Sequence, residues 1–250
     1  MISPKTAKLL SVGGFFKVKL LKTVDSTNDF LKALPQNEAR EGLVVVADEQ
    51  TRGKGRLSRK FYSPKGGLYF SVLLRPNSQE VLSKLTVLAG VCVCDAVRKV
   101  CGDDASIKWV NDVLIGDKKC SGILVETTEN LKGFAIVGIG VNIGDDNIDD
   151  SLKDIACGVT DRGKNTRFEL LAEILENLKA RYADFNATSV VEEYKSRCST
   201  LGRRVKVLRN DGQEYFAIAK DVGADCRLKI EKSDGSTEFL DSGEIKILIS

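Results

Sequence analysis

A basic segment containing glycine lies between two stretches with the pattern of β-strands, so the fold must use it as a connection in a sheet. The segment, residues 50–64, has five basic residues, two glycines and no acidic residue. LVVVAD at 43–48 precedes it and GLYFSVLLR at 67–75 follows it. Glycines between charges let backbone N–H groups and cationic side chains approach one anion closely. The segment therefore predicts an anion site, with phosphate preferred, whereas a solvated basic turn is the alternative when the loop is taken alone.

Strand and helix patterns alternate along the first 200 residues. Apolar residues repeat with the period of a strand or of a helix, and capping residues and turns separate the segments. The predicted strands are 15–24, whose alternation indicates a half-buried strand, then 43–48, 67–75, 106–110, 113–115, 119–126 and 134–144, with a hairpin turn at 116–117. The predicted helices are a short one after Asp25 or Ser26, then 79–101, which Ser78 caps and Gly102 ends, 167–186 and 190–198. This order predicts an α+β fold in which helices cover a mixed β-sheet.

The pattern changes near residue 201. Short alternating segments follow one another to the end of the chain, and Asp-Gly turns at 211–212 and 234–235 each join two neighbouring segments. Such spacing is typical of a small antiparallel barrel. We therefore predict a first domain over 1–200 and a small β-barrel domain over 201–250.

Composition excludes several classes of protein. The chain has no histidine, which excludes a serine or cysteine nucleophile with a histidine base. Its seven cysteines are irregularly spaced, which argues against zinc and for reduced thiols in a cytoplasmic type of compartment. A formal net charge of +3, without aromatic residues interleaved among basic ones, disfavours the alternative of a non-catalytic nucleic-acid binder. No apolar run reaches the roughly 20 residues of a membrane span.

Two further motifs are weak when each is taken alone. VGIGVNIG at 137–144 has the glycines of a dinucleotide fingerprint, but no helix pattern follows and the next residues are acidic. We interpret it as a strand that runs close beneath a ligand. KWVND at 108–112 has the pattern of an ordinary strand end and turn, and Lys118-Lys119 that of a solvated pair. These motifs occur together with the basic segment in one fixed order. This combination is a more specific signal than any single motif.

Six segments occur in the order found in one family. They are DSTN at 25–28, QTRGKGR at 50–56, FYSPKGGLYFS at 61–71, KWVND at 108–112, KKCSGILVE at 118–126 and GIGVN at 138–142. Through these segments and its C-terminal region, the chain resembles biotin protein ligases, which attach biotin to carboxylase carrier proteins. The resemblance covers nearly the whole chain. It implies a catalytic domain over 1–200 and the family's SH3-like domain over 201–250.

The sequence departs from the common family pattern at four positions. The family commonly has arginine at the position of Lys54 and glycine at that of Ser58. It commonly has tryptophan at the position of Phe61 and proline at that of Val110. Lys54 keeps the charge but loses the bidentate geometry of arginine. None of the four removes a charge that the chemistry needs, so we expect activity. The resemblance begins at the catalytic domain, so we expect the monofunctional form, without the DNA-binding helix-turn-helix of the repressor-type members and without a DNA partner.

The resemblance implies a ligase with ATP and biotin as substrates and Mg²⁺ as cofactor. In its first step, the biotin carboxylate attacks the α-phosphate of ATP to give biotinyl-5′-AMP and pyrophosphate. In its second step, a lysine of a biotin carboxyl carrier protein attacks the mixed anhydride. A cytoplasmic location and no membrane partner are also expected, and monomer and homodimer both stay open. The nearest alternative is a lipoate- or octanoate-handling enzyme of the same superfamily.

The resemblance also assigns residues to these roles. Lys119 is expected between the carboxylate and the α-phosphate, Arg56 is expected to be the main phosphate contact, and Asp112 either accepts from the acceptor lysine or helps to place magnesium. The residues expected to bind biotin are Ser26, Thr27, Asn28, Gln50, Gly53, Lys54, Gly55, Arg56, Lys119, Gly122, Gly138 and Gly140. Those expected to bind ATP are Lys54, Arg56, Arg59, Lys108, Asn111, Asn142 and Lys119. No metal ligand is assigned.

Overall fold

Two β-sheets, with helices against the larger one, make up the protein in the computed structural model, which describes residues 14–209, 212–241 and 244–247. The larger sheet has seven strands in the order β1-β2-β3-β7-β6-β5-β4. Only β1 and β2 run parallel among its described pairs. The strands are β1 (Lys17–Val24), β2 (Leu43–Gln50), β3 (Leu68–Leu74), β4 (Ala105–Lys108), β5 (Asp112–Ile115), β6 (Lys118–Glu126) and β7 (Ala135–Val141). The predicted mixed sheet and its hairpin at residues 116–117 are confirmed.

The described residues form four α-helices, and a side chain caps the first turn of three of them. The four helices are α1 (Thr27–Lys32), α2 (Gln79–Ala96), α3 (Thr166–Ala183) and α4 (Ala187–Arg197). The hydroxyls of Ser26 and Ser78 accept from backbone N–H groups in the first turns of α1 and α2. A π-helical turn, Val97–Cys101, continues α2 to Gly102, whose φ of 75° ends it in the left-handed region.

The helices divide between the two faces of the larger sheet. Because successive strand residues point to opposite faces, Val137 and Ile139 contribute to the large core beneath α2, α3 and α4. Ile136 lies on the other face, in a small core with Leu31 of α1. The same face carries Gly138 and Gly140, which add no side chains of their own to it. An open region therefore remains beside α1.

The edge strand β1 differs from its prediction in burial. The sequence pattern indicated a half-buried strand, but most of its residues are exposed and none of the eight is fully buried. The physical reason is its position, since β1 pairs only with β2 and forms one end of the sheet.

The smaller sheet is antiparallel, with the strand order β11-β10-β9-β8-β12. Its strands are β8 (Arg204–Leu208), β9 (Glu214–Val222), β10 (Leu228–Lys232), β11 (Thr237–Leu240) and β12 (Glu244–Ile247). The predicted class, a mixed sheet with helices followed by a small SH3-like β-domain, is confirmed. Of the two predicted Asp-Gly turns, the one at residues 234–235 is present, and Asp211 lies outside the described residues.

No helix in the described parts of the chain is both long and apolar enough to cross a membrane. The cysteines at positions 92, 94, 101, 120, 157, 198 and 226 are all free thiols, and all but Cys157 are buried.

Candidate active site

A cavity of about 180 Å³ opens on the α1 face of the larger sheet. It lies between α1, the basic segment 50–64 and the ends of β4, β5 and β6. The cavity brings together nearly all the predicted site residues: Ser26, Thr27, Asn28, Gln50, Lys54, Gly55, Arg56, Arg59, Lys108, Asn111, Asp112, Lys119, Gly122, Gly138 and Gly140. These residues come from five distant parts of the sequence, so the fold converts an ordered set of motifs into one site.

Two predicted residues lie outside the cavity lining. Gly53 is packed beneath the return of its own loop, where an added Cβ would lie 2.3 Å from the Phe61 carbonyl oxygen. The Asn142 side chain donates to the Cys157 carbonyl, at 3.2 Å, and its backbone N–H donates to the Cys120 carbonyl. Asn142 thus joins the loop after β7 to β6.

The floor of the cavity is formed by glycines on paired strands. Gly138 and Gly140 of β7 face the cavity, and Gly122 of β6 pairs with Gly140. A Cβ on Gly140 would lie 2.5 Å from the Phe61 ring, and one on Gly138 would lie 2.3 Å from Asn28 Oδ1. The strand therefore needs glycine at both positions for neighbouring groups to approach it this closely.

The wall formed by α1 and Gln50 is polar and hydrogen-bonded. Thr27 donates its backbone N–H to Gln50 Oε1 at 2.9 Å, and Gln50 Nε2 donates to Ser63 Oγ at 2.9 Å. Thr27 Oγ1 also lies 2.7 Å from Ser71 Oγ of β3. Because Ser26, Thr27 and Asn28 are almost wholly buried, their polar atoms form part of an ordered wall.

The basic segment is attached to α1 by ion pairs at the surface. Arg52 pairs with Asp25, and Lys54 Nζ lies 2.7 Å from Asp29 Oδ2. Arg56 points inward and is partly buried. Burial lowers the pKa of its guanidinium from the ordinary value, while the neighbouring Asp112 carboxylate acts in the opposite direction.

Asp112 is the acidic group around which the cationic side chains are arranged. Lys119 Nζ lies 2.6 Å from Asp112 Oδ1 and 5.5 Å from the centroid of the Phe61 ring. Burial lowers the pKa of Lys108 from its ordinary value; the Asp112 charge opposes this shift, and the nearby charges of Lys119 and Arg59 reinforce it. The cationic side chains outnumber the single carboxylate of Asp112. Such an excess of positive charge suits a site that binds an anionic ligand.

The Lys108–Asp112 corner is held by groups that the sequence analysis did not identify. Tyr194 of α4 donates its hydroxyl to the Val110 carbonyl at 3.1 Å. Trp109 donates its backbone N–H to Thr200 Oγ1 at 3.0 Å and its indole N–H to the Cys226 carbonyl at 2.9 Å. These contacts link residues 84 to 117 positions apart, so no local pattern marks them.

The described residues contain no group of three or more cysteine, aspartate or glutamate side chains placed to hold a metal ion. Asp112 is the acidic residue of the cavity lining, and Lys119 already pairs with it. A single carboxylate with substrate phosphates is a common arrangement for Mg²⁺, which dehydrates reluctantly. The residues therefore fit a metal that enters with a nucleotide better than a resident metal.

Comparison with known proteins gives two family matches. Residues 20–143 match the biotin/lipoate A/B protein ligase family, and residues 200–248 match the biotin protein ligase C-terminal domain. The bifunctional ligase/repressor BirA of Bacillus spizizenii is 38% identical over 223 residues, which cover 85% of this chain and 68% of that protein. The biotin–[acetyl-CoA-carboxylase] ligase of Mycobacterium tuberculosis is 27% identical, with 95% of this chain and 92% of that protein covered.

A solved structure agrees with these matches. The biotin protein ligase of Aquifex aeolicus in complex with biotin and ATP superposes with a TM-score of 0.76 at 32% sequence identity. The match covers 94% of this chain and 99% of that one. The similarity therefore includes both sheets, and the cavity lies within the part of the chain that matches the first family.

Proposed function

The chain belongs to the biotin protein ligases, which are enzymes, and from this premise we propose that it makes biotinyl-5′-AMP and transfers the biotinyl group to a lysine of a carrier protein. The observation that carries the proposal is the position of Lys119 and Arg56. Both line one cavity above the glycine floor, and both interact with Asp112. They are therefore within reach of one small ligand.

The proposed first step joins two anions. A carboxylate oxygen of biotin forms a bond to the α-phosphorus of ATP, while the bond to the bridging oxygen breaks and pyrophosphate leaves. Lys119 and Arg56 lower the repulsion between the carboxylate and the phosphate and stabilise charge in the transition state. Lys54, Arg59 and Lys108 add positive charge around the same cavity. No histidine base is needed, because the attacking carboxylate is already ionised.

In the second step, the amine of the acceptor lysine attacks the carbonyl carbon of the adenylate and AMP leaves. We assign Asp112 the role of orienting Lys119, because their 2.6 Å ion pair fixes the lysine over the cavity. Mg²⁺ is expected to enter with the phosphates of ATP, and Asp112 is the carboxylate of the lining that would face it. The partner is a biotin carboxyl carrier protein or domain, and the seven free thiols suit a reducing cytoplasm.

The polar wall of the cavity favours biotin over lipoate or octanoate. Thr27 and Gln50 present hydrogen-bonding groups to the cavity, and Ser26 and Asn28 lie beside them. The ureido ring of biotin has N–H and C=O groups for such a wall, whereas an octanoyl chain or a dithiolane ring would leave buried polar groups without partners.

One reaction tests the proposal. The purified protein is incubated with biotin, ATP labelled at the α-phosphate and Mg²⁺, with and without a biotin-acceptor domain. We expect labelled biotinyl-5′-AMP without the acceptor, and biotinylated acceptor with labelled AMP when it is present. Parallel reactions with lipoate and octanoate should give no acyl adenylate. Product from either fatty acid, with none from biotin, would overturn the proposal in favour of the alternative.

A further inference from the structure

A chain of hydrogen bonds runs beneath the cavity from the surface to its polar wall. Its members are Lys32, Glu126, Asn28, Ser71 and Thr27. Lys32 Nζ lies 2.6 Å from Glu126 Oε1, and Asn28 Nδ2 donates to Glu126 Oε2 at 2.8 Å. Ser71 Oγ lies 2.5 Å from Asn28 Oδ1 and 2.7 Å from Thr27 Oγ1. Glu126 and Ser71 do not line the cavity, and the sequence analysis gave them no role.

Glu126 fixes which end of the Asn28 amide faces Ser71. The nitrogen end lies 2.8 Å from the Glu126 carboxylate and 3.3 Å from the Leu124 carbonyl oxygen, and both of these groups only accept. A rotated amide would place its oxygen against two other oxygens. Asn28 therefore turns Oδ1 to Ser71, and its own amide hydrogens are used within the protein.

The direction of the remaining bonds follows from the number of hydrogens. Ser71 has one hydroxyl hydrogen, and Asn28 Oδ1 can only accept, so that hydrogen lies on the 2.5 Å contact. The Thr27 hydroxyl lies 2.7 Å from Ser71 Oγ and 3.1 Å from Gln50 Oε1. Its one hydrogen serves the shorter contact, for which Ser71 has no hydrogen left. The hydrogen of Thr27 thus points to Ser71, beneath the cavity wall.

This direction leaves acceptors on the wall. With its hydrogen directed to Ser71, Thr27 Oγ1 keeps both lone pairs. Gln50 Oε1, which accepts from the Thr27 backbone N–H and lies 3.1 Å from Thr27 Oγ1, keeps its second lone pair, and both residues line the cavity. The orientation of Gln50 is fixed because its Nε2 donates to Ser63. From this geometry we infer that Glu126 is a specificity-determining residue: acting through Asn28 and Ser71, it makes the Thr27–Gln50 wall an acceptor for the N–H groups of the ligand.

The inference rests on the proposed function and explains how the same site selects its substrate. The ureido ring of biotin has two N–H donors, whereas the lipoyl and octanoyl groups have none at the corresponding end. Glu126→Gln replaces an obligate acceptor by an amide that also donates. Asn28 is then free to rotate and donate to Ser71, the hydrogen of Thr27 turns to Gln50 or into the cavity, and either way the wall loses an acceptor.

Calorimetric titration with biotin, in the absence of ATP, tests the inference. We expect Glu126→Gln to weaken biotin binding about tenfold, since hydrogen bonds to the ligand are lost or reversed. Thr27→Val should weaken binding at least as much, and the double variant should bind no more weakly than Thr27→Val alone. Such coupling distinguishes the chain of bonds from a general loosening of the fold, for which the two losses would multiply. Glu129→Gln, an exposed residue on the following turn, is the matched control and should bind biotin like the wild type.

Ser71→Ala provides a second variant, because it interrupts the chain without touching the Lys32–Glu126 ion pair. It should also weaken biotin binding and show the same coupling to Thr27→Val. If the wild type binds biotin and Glu126→Gln and Ser71→Ala both bind it equally well, the inference is wrong and the proposed function stands. If the losses of Glu126→Gln and Thr27→Val multiply, Glu126 does not act through Thr27. A wild type that binds no biotin would overturn the proposed function together with the inference.

Discussion

Two of the walls of the cavity, the basic segment and the Lys108–Asp112 corner, are held in different ways. The basic segment 50–64 has backbone hydrogen bonds near its two ends, and the side chains of Arg52 and Lys54 join it to Asp25 and Asp29 by ion pairs whose side chains are between 34% and 74% exposed. In the Lys108–Asp112 corner, Trp109 donates buried hydrogen bonds to Thr200 and Cys226, and Val110 accepts a partly buried one from Tyr194. Exposed ion pairs contribute little and weaken with salt, whereas buried hydrogen bonds are expensive to break. We infer that the corner is preorganised for chemistry. We also infer that the middle of the basic segment, residues 54–60, moves to admit and retain ligands, while Gln50 and Ser63 at its ends stay hydrogen-bonded to each other.

Rigidity is needed around Lys119, whereas the basic segment needs charge and freedom to move. Lys119, which should act on the reacting atoms, belongs to the fixed wall. A catalytic group must be held close to its productive position if its charge is to stabilise the transition state. We infer that the basic segment instead opens, because the proposed ligands would bind in the cavity that it lines. Like charges along the segment repel one another until an anion binds, which favours closure only around the ligand.

The largest effect is expected on the fixed wall from Lys119→Ala. Removing this charge should lower the rate of biotinyl-5′-AMP formation by about 100-fold or more, as for other preorganised electrostatic groups. The measurement is biotin-dependent exchange of labelled pyrophosphate into ATP. Lys118→Ala is the matched control, since Lys118 is exposed and donates to the Lys153 carbonyl away from the cavity. Equal losses in the two variants would show that the position of Lys119 in the cavity has no special importance.

An intermediate effect is expected where the fixed wall meets the smaller sheet. Trp109→Phe removes the donor to the Cys226 carbonyl, which is buried, and should lower the free energy of unfolding by roughly 1–3 kcal/mol. Because the same residue precedes the Asn111-Asp112 pair, kcat should fall more than the affinity for biotin. Urea unfolding and steady-state kinetics measure the two quantities. A loss confined to biotin affinity would argue against a preorganised corner.

The smallest effect is expected in the movable wall from Arg52→Ala. The Arg52–Asp25 pair is exposed, so the variant should change biotin affinity by less than about fivefold and leave the unfolding transition almost unchanged. The dissociation rate of biotin, measured by stopped-flow fluorescence, should rise and lose part of its dependence on salt. Arg40→Ala, a change at an exposed arginine that donates to carbonyls of its own turn, is the control. A collapse of activity in Arg52→Ala would show that the segment is held more firmly than its exposed contacts indicate.

Local signals in the sequence predicted much of this molecule. The Ser26 and Ser78 caps, the stop at Gly102 and the hairpin at 116–117 are each decided within a few residues, and the structure contains all of them. The ordered motifs likewise identified nearly all the residues that line the cavity. Their individual roles toward biotin and ATP stay predictions, because those roles depend on where each ligand atom lies.

Contacts between distant parts of the chain were beyond the sequence analysis. The bond from Trp109 to the Cys226 carbonyl joins residues 117 positions apart, and backbone carbonyls have no signature in a sequence. Ser71 and Glu126 have the pattern of ordinary strand residues, and their importance arises only when β3, β6 and α1 meet. The exposure of β1 was missed for a related reason, since a strand pattern does not show whether the strand lies at the edge of a sheet.

Hydrogen exchange at residues 50–64 and 105–113, with and without biotin and ATP, compares the two walls most directly. We predict that, in the free protein, the amides of 50–64 exchange faster than those of 105–113, although several of them are hydrogen-bonded, and that they become strongly protected with both ligands. The amides of 105–113 should be protected in both states. Protection that appears only at 105–113, with the basic segment unchanged, would contradict the division into a fixed catalytic wall and a movable one.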